Sequence, residues 1–354
     1  MGTLRILFTT LLSGAIYSVA YGDQPPPLPC AAKDQQCARK ALAKSPVRTI
    51  AFWKSNLARP LEQRIGPAPE ELITYLNLDN INQGFDNTPT AAEISGQFRR
   101  DLTGAFDGLP PKVKQLASRK LVGIFVVNDL GGTGYSDYVL GGAARPEGGF
   151  MVFDAEVLAK RTANEWSTWK ESSPFIAGPD FKLEARIESA DQDNRQSAIQ
   201  YIFLHELGHL LSIGRKLHPR WDQPPPKQHS LRNYAFSRLS WKVADSGKDY
   251  ASVYDATFPL RKDVVFYFGP KLTADKMPTV YAQLRRTNYP TLYAATSPGD
   301  DFADSFASYV HSVLLKRPWE IRIYNGNALV TSYGACWDEA RCAAKRSILE
   351  KLLN

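Results

Sequence analysis

The densest apolar pattern in the chain runs from Ser197 to Ser212 (SAIQYIFLHELGHLLS), where apolar side chains cover most of a helical surface and so predict a buried helix. Gly214 is placed to end it. Leu121 to Asn128 (LVGIFVVN) is rich in β-branched residues, stops at Asp129-Leu130-Gly131-Gly132 and reads as a buried strand. Gly148 to Asp154 is a second strand opening from a glycine turn. Phe181 to Glu188 (FKLEARIE) alternates and reads as a third, half-buried strand. Glu70 to about Lys120 is mostly helical in pattern: Pro69-Glu70-Glu71 starts one helix, and Thr90-Ala91-Ala92-Glu93 has the capping-box form. Two more helices are predicted, from about Pro298 to Leu315 with Pro318 as the stop, and from about Asp338 to Leu353, the latter including Cys342. Arg215 to about Tyr289 shows no regular period and contains Pro224-Pro225-Pro226.

The amino terminus has a different character. Arg5 precedes the apolar stretch Ile6 to Ala20, and small residues at Ser18, Ala20 and Gly22 offer cleavage sites before Asp23-Gln24-Pro25-Pro26-Pro27. A run of about 15 apolar residues is short for about 30 Å of hydrocarbon, so residues 1–22 read as a cleaved signal peptide and not as a membrane anchor. The protein is expected to be exported, periplasmic or secreted. Residues 23 to about 48 follow as a proline-rich lead-in and a short basic helix, within an amino-terminal region expected to run to 118. The remaining residues, 119–354, form the main domain.

Four cysteines suit an oxidising compartment. Cys30 with Cys37 and Cys336 with Cys342 are the simplest pairs, since neither has the C-x2-C spacing of a zinc site. The net charge of +7 becomes +6 once Arg5 leaves with the signal, and no basic run reaches five residues. Weak attraction to acidic surfaces follows, whereas nucleic-acid binding does not.

The buried helix carries His205-Glu206-Leu207-Gly208-His209. Helical residues four apart share a face, so both imidazoles can meet one ion while Glu206 stands beside a water. Zinc suits such nitrogen donors, and a third protein ligand is needed. Candidates are His218, His229, Asp300, Asp301 and Asp304. Asp300 and Asp304 share one helical face, so one can bind metal while the other orients a ligating histidine. His218 lies nine residues beyond His209, a spacing that fits no common ligand pattern, and His311 reads as a surface or packing residue.

HELGH together with Tyr293-x6-Asp300-Asp301-Phe302-Ala303-Asp304 resembles the zincin metallopeptidases of the gluzincin type, and is especially similar to the anthrax lethal factor group. The resemblance covers about residues 197–212 and 293–310. It implies Asp300 as third zinc ligand, Asp304 as the second acid, Glu206 as general base and Tyr293 as oxyanion stabiliser. The family has glutamate where this chain has Asp300. A shorter carboxylate requires the second helix to approach the first more closely, or Asp301 or Asp304 to serve instead.

The expected fold is therefore α+β and zincin-like: a small twisted mixed sheet on the HExxH helix, a second ligand-bearing helix, and a helical amino-terminal part. The expected activity is peptide hydrolysis with one Zn2+ per chain and a protein or peptide substrate. Such a substrate lies along a sheet edge, for which Phe150 to Asp154 and Phe181 to Glu188 are candidates. A zinc amidase acting on cell-wall peptide and a non-catalytic, toxin-like zinc binder are the alternatives.

Overall fold

A computed structural model describes residues 28–267 and 269–354; the expected signal peptide lies outside the described residues. The fold is α+β. Its main sheet contains β1 (Ile65–Pro67), β2 (Leu121–Asn128), β3 (Gly134–Leu140) and β4 (Pro146–Asp154), in the spatial order β1-β2-β4-β3. The first three of these are parallel, and β3 runs antiparallel to β4 at the edge. A second, antiparallel sheet joins β5 (Phe181–Arg186), β6 (Glu320–Asn325) and β7 (Ala328–Gly334), with β6 in the middle.

The continuous apolar run of β2 reflects burial on both faces, as parallel strands require. On one side, Val122, Phe125 and Val127 pack beneath α1 (Gln35–Leu42) and α2 (Glu70–Gln83), whose Leu72, Ile73 and Leu76 join the same core. On the other, Ile124 and Val126 belong to a larger core with α3 (Gly96–Asp107), α4 (Pro111–Lys120) and α6 (Arg195–Leu211). The remaining long helices are α5 (Ala163–Ser172), α7 (Met277–Leu284), α8 (Pro298–Tyr309) and α9 (Ala343–Leu353). α8 passes into one π-helical turn, Val310–Leu314.

Several expectations change. Thr90 does not open a helix: Thr90–Ala91 hydrogen-bonds to the end of β2, and Ser95 caps α3 by accepting from the Phe98 N–H. Backbone pairing there takes the groups a cap would have used. Cys342 lies in a short turn just before α9, not inside it. Of the two candidate edge strands, Phe150–Asp154 is flanked on both sides, by β2 and β3, whereas Phe181–Arg186 is an edge strand, but of the second sheet. The edge strands of the main sheet are β1 and β3. The residues up to about 120 supply β1 and the four helices α1 to α4, so they share the sheet and cores of the residues that follow. Both expected local disulfides, Cys30–Cys37 and Cys336–Cys342, are present. Among the described residues no helix is long and apolar enough to cross a membrane.

Candidate metal centre

α6 begins with Asn194 accepting from the Ser197 N–H and is buried along almost its whole length. α8 crosses it where Gly208 faces Ala303. A Cβ at position 208 would stand 2.6 Å from the Ala303 Cα, so no larger residue fits unless the helices separate.

His205, His209 and Asp300 meet at the crossing, with one donor atom from each within 4.8 Å of the others. The Nε2 atoms of the two histidines are 3.2 Å apart, and His209 Nε2 is 3.6 Å from Asp300 Oδ1. Donors about 2.0–2.1 Å from a tetrahedral ion lie about 3.3–3.4 Å from one another, so the spacing and the N2O donor chemistry both fit zinc.

Two of the three donors, His205 and Asp300, are held from behind, whereas the His209 Nδ1 is buried without a hydrogen-bond partner among the described residues. Asp304 Oδ1 is 3.0 Å from His205 Nδ1, which directs Nε2 toward the other donors. Thr291 Oγ1 donates to the other Asp304 oxygen, and the Lys170 ammonium lies 3.6 Å from Oδ1. Burial alone would raise the Asp304 carboxyl, but Lys170 and His205 outweigh it and hold it at about 2. Burial opposes a charge on His205 as well, yet the Asp304 contact prevails and raises its pKa. His209 has no such acid; burial drives its pKa well below the ordinary value, and its ring sits 5.3 Å from that of Trp221. Asp300 Oδ2 accepts from Ser297 Oγ at 2.7 Å and Thr296 Oγ1 at 2.9 Å, leaving Oδ1 toward His209.

Glu206 projects beside this cluster. Its Oε2 accepts from Ser136 Oγ on β3 at 2.7 Å, and burial pushes its carboxyl above the usual range. Tyr293 lies across from it, with its ring 5.3 Å from His205 and 4.7 Å from Phe266, and the Lys170 ammonium 4.3 Å from its centroid.

Asp301, one residue along, faces the other way. It is fully buried against Lys345 Nζ at 2.5 Å and Trp241 Nε1 at 3.0 Å, away from the three donors. His218 and His311 are buried and hydrogen-bonded to main-chain carbonyls of Pro219 and Ile187; neither joins the cluster, and His311 is a packing residue, not a surface one. His229 also stands outside it.

Sequence reasoning missed Ser136, Lys170, Thr291, Ser297 and Trp221. Ser297 carried a readable signal, since a serine before Pro298 is a good N-cap. Thr291 stands two residues before Tyr293 without a pattern of its own, and the others reach the site from parts of the chain outside both motifs. Compared with protein-family models, with curated proteins and with solved structures, the chain matches none.

Proposed function

We propose that this chain is an exported zinc metallopeptidase of zincin type, with His205, His209 and Asp300 as ligands. The observation that carries the reading is the convergence of those three donors beside a buried glutamate, at the edge strand of a sheet. β3 pairs with β4 on one side only; on the other, the Thr49–Leu140 bridge covers just its far end. The near end, Gly134–Asp137, offers main-chain groups to an extended peptide, which favours peptide over other amide substrates.

A zinc ion, when bound, supplies Lewis-acid polarisation of a carbonyl and acidifies a water. Glu206, anchored through Oε2 by Ser136, has Oε1 to take the proton from the attacking water and later return it to the leaving amine. Its raised pKa brings it nearer neutrality, where a group both accepts and releases a proton. Tyr293 donates its phenol to the developing oxyanion; burial, and then the Asp300 charge, keep that phenol protonated well beyond the ordinary range. Asp304 fixes the His205 ring, and Lys170 keeps Asp304 ionised.

The test is metal analysis with proteolysis. About one zinc per chain is expected, with cleavage of unfolded protein that is lost in Glu206→Gln while zinc is kept. Failure to bind any divalent metal would sink the reading. Zinc binding with no cleavage of any peptide would favour the non-catalytic alternative.

A further inference from the structure

Besides the groove along β3, the centre opens into a more enclosed cavity of about 200 Å³, which shares His205, Glu206 and Tyr293 with it. Leu76 from α2, Leu130, Trp166 and Ile202 give it apolar walls, and Tyr135 and Tyr267 add aromatic rings. Its polar lining is unevenly balanced. Lys170 is engaged by Glu171 at 3.2 Å and Asp304 at 3.6 Å. Asp79, on α2, is different: its carboxylate lines the cavity, half-buried, and accepts from the Tyr135 phenol at 3.1 Å. Arg48, the cation that acts on Asp79, is itself hydrogen-bonded to Asp222 at 3.1 Å. Three carboxylates, Asp79, Glu206 and Asp304, therefore share the lining with one ammonium. Asp304 is paired with Lys170 and His205, and Glu206 is bonded to Ser136, whereas Asp79 is bonded to a neutral phenol.

Apolar walls, tyrosine rings and a carboxylate together match one kind of side chain: a long aliphatic stem ending in a cation. The stem gains from burial, and the cation gains from the ring faces and from the acid. A glutamate or aspartate side chain would instead bring like charge into a partly desolvated space.

We propose that this cavity receives a lysine or arginine side chain of the substrate, next to the cleaved bond, and that Asp79 is the residue that selects it. The inference rests on the peptidase reading for the word substrate, but the recognition itself requires only that the pocket bind.

Two measurements separate the two claims. The first is cleavage of a peptide library with all residues equally represented, read by mass spectrometry. The second is calorimetric binding, to the zinc-loaded protein, of short hydroxamates bearing a lysine, leucine or glutamate side chain, which needs no turnover. Lysine and arginine should be enriched at one position beside the cleaved bond. The lysyl hydroxamate should bind about tenfold or more tightly than the glutamyl one. Asp79→Asn, which keeps an acceptor for Tyr135, should abolish both preferences with zinc content unchanged. Asp79→Lys should turn them toward acidic side chains. A basic preference that survives Asp79→Asn, or equal binding of the three hydroxamates, overturns the proposal and leaves the peptidase intact. Selective binding of the lysyl probe without any cleavage overturns the peptidase and supports the pocket assignment.

Discussion

α8 carries a buried carboxylate–ammonium pair on each of two faces. On one, Asp304 meets Lys170; on the other, Asp301 meets Lys345. All four side chains are almost wholly buried, and both acids come from the same short sequence, Asp300-Asp301-Phe302-Ala303-Asp304. What separates them is the remaining partner. Asp304 turns to an imidazole at a crossing of helices, while Asp301 turns to the Trp241 indole and to Ser305 Oγ, one turn along at 3.4 Å. Helical geometry does this sorting: residues 300 and 304 share a face, and 301 with 305 share the next. An acid's burial or its ion pair therefore says little about function until the third group is known.

The largest expected effect falls on the Lys345 face. Asp301→Ala strands a buried ammonium, and should cost about 3–5 kcal/mol in urea unfolding, while zinc content of the folded fraction stays the same. A loss of zinc affinity in the folded protein would mean that the two faces are not independent. Lys345, whose ammonium burial already lowers to about 8, has the Phe236 and Tyr289 rings beside it and, among the described residues, no other acid within ion-pair distance.

A smaller effect comes from pH, at the end of the same helix. Burial lowers the pKa of His311 to about 4, against 6.5 when unfolded. Between these values the unfolded chain takes up a proton that the folded one refuses. Stability is thus complete above pH 6.5 and falls as acid is added down to about 4. Denaturation curves across that window should lose on the order of 3 kcal/mol through this group. His311→Gln should flatten the slope by that amount; an unchanged slope would place the acid sensitivity elsewhere.

The smallest effect belongs to the metal face. Asp304→Asn keeps the shape but loses the charge that orients His205, and should weaken zinc binding about 10- to 100-fold. Competition with a chelator measures this. The result that would erase the contrast between the faces is a stability loss as large as that of Asp301→Ala, with zinc affinity unaltered.

The sequence made some of this arrangement readable and hid the rest for physical reasons. HELGH and the 300/304 spacing depend on local helical geometry, so their shared faces could be inferred. The cysteine pairs are local too. β3 could not be read, because Gly134-Tyr135-Ser136-Asp137-Tyr138 mixes polar and aromatic residues in a strand whose two faces meet different surroundings: Tyr135 joins one core and Ser136 reaches Glu206. Lys170-Glu171 looks like two solvated charges on α5, yet both lie inside, where each neutralises the other and Tyr281 donates to Glu171. Asp79 belongs to a helix with no link in sequence to the motif. Such contacts are tertiary, and only the folded chain assembles them.

The second sheet has a consequence in polymer terms. β5 ends at Arg186 and β6 begins at Glu320, and these two residues are paired. Every candidate metal donor lies in the stretch of chain between them. The pairing is a clasp at the neck of one long loop. Closing it removes chain entropy that grows only as the logarithm of loop length, and it confines α6 and α8 to a small volume before any ion arrives. The stretch between those helices, α7 included, therefore adds little to the loop-closure cost through its length, since each ligand-bearing helix has its own short tether to the clasp.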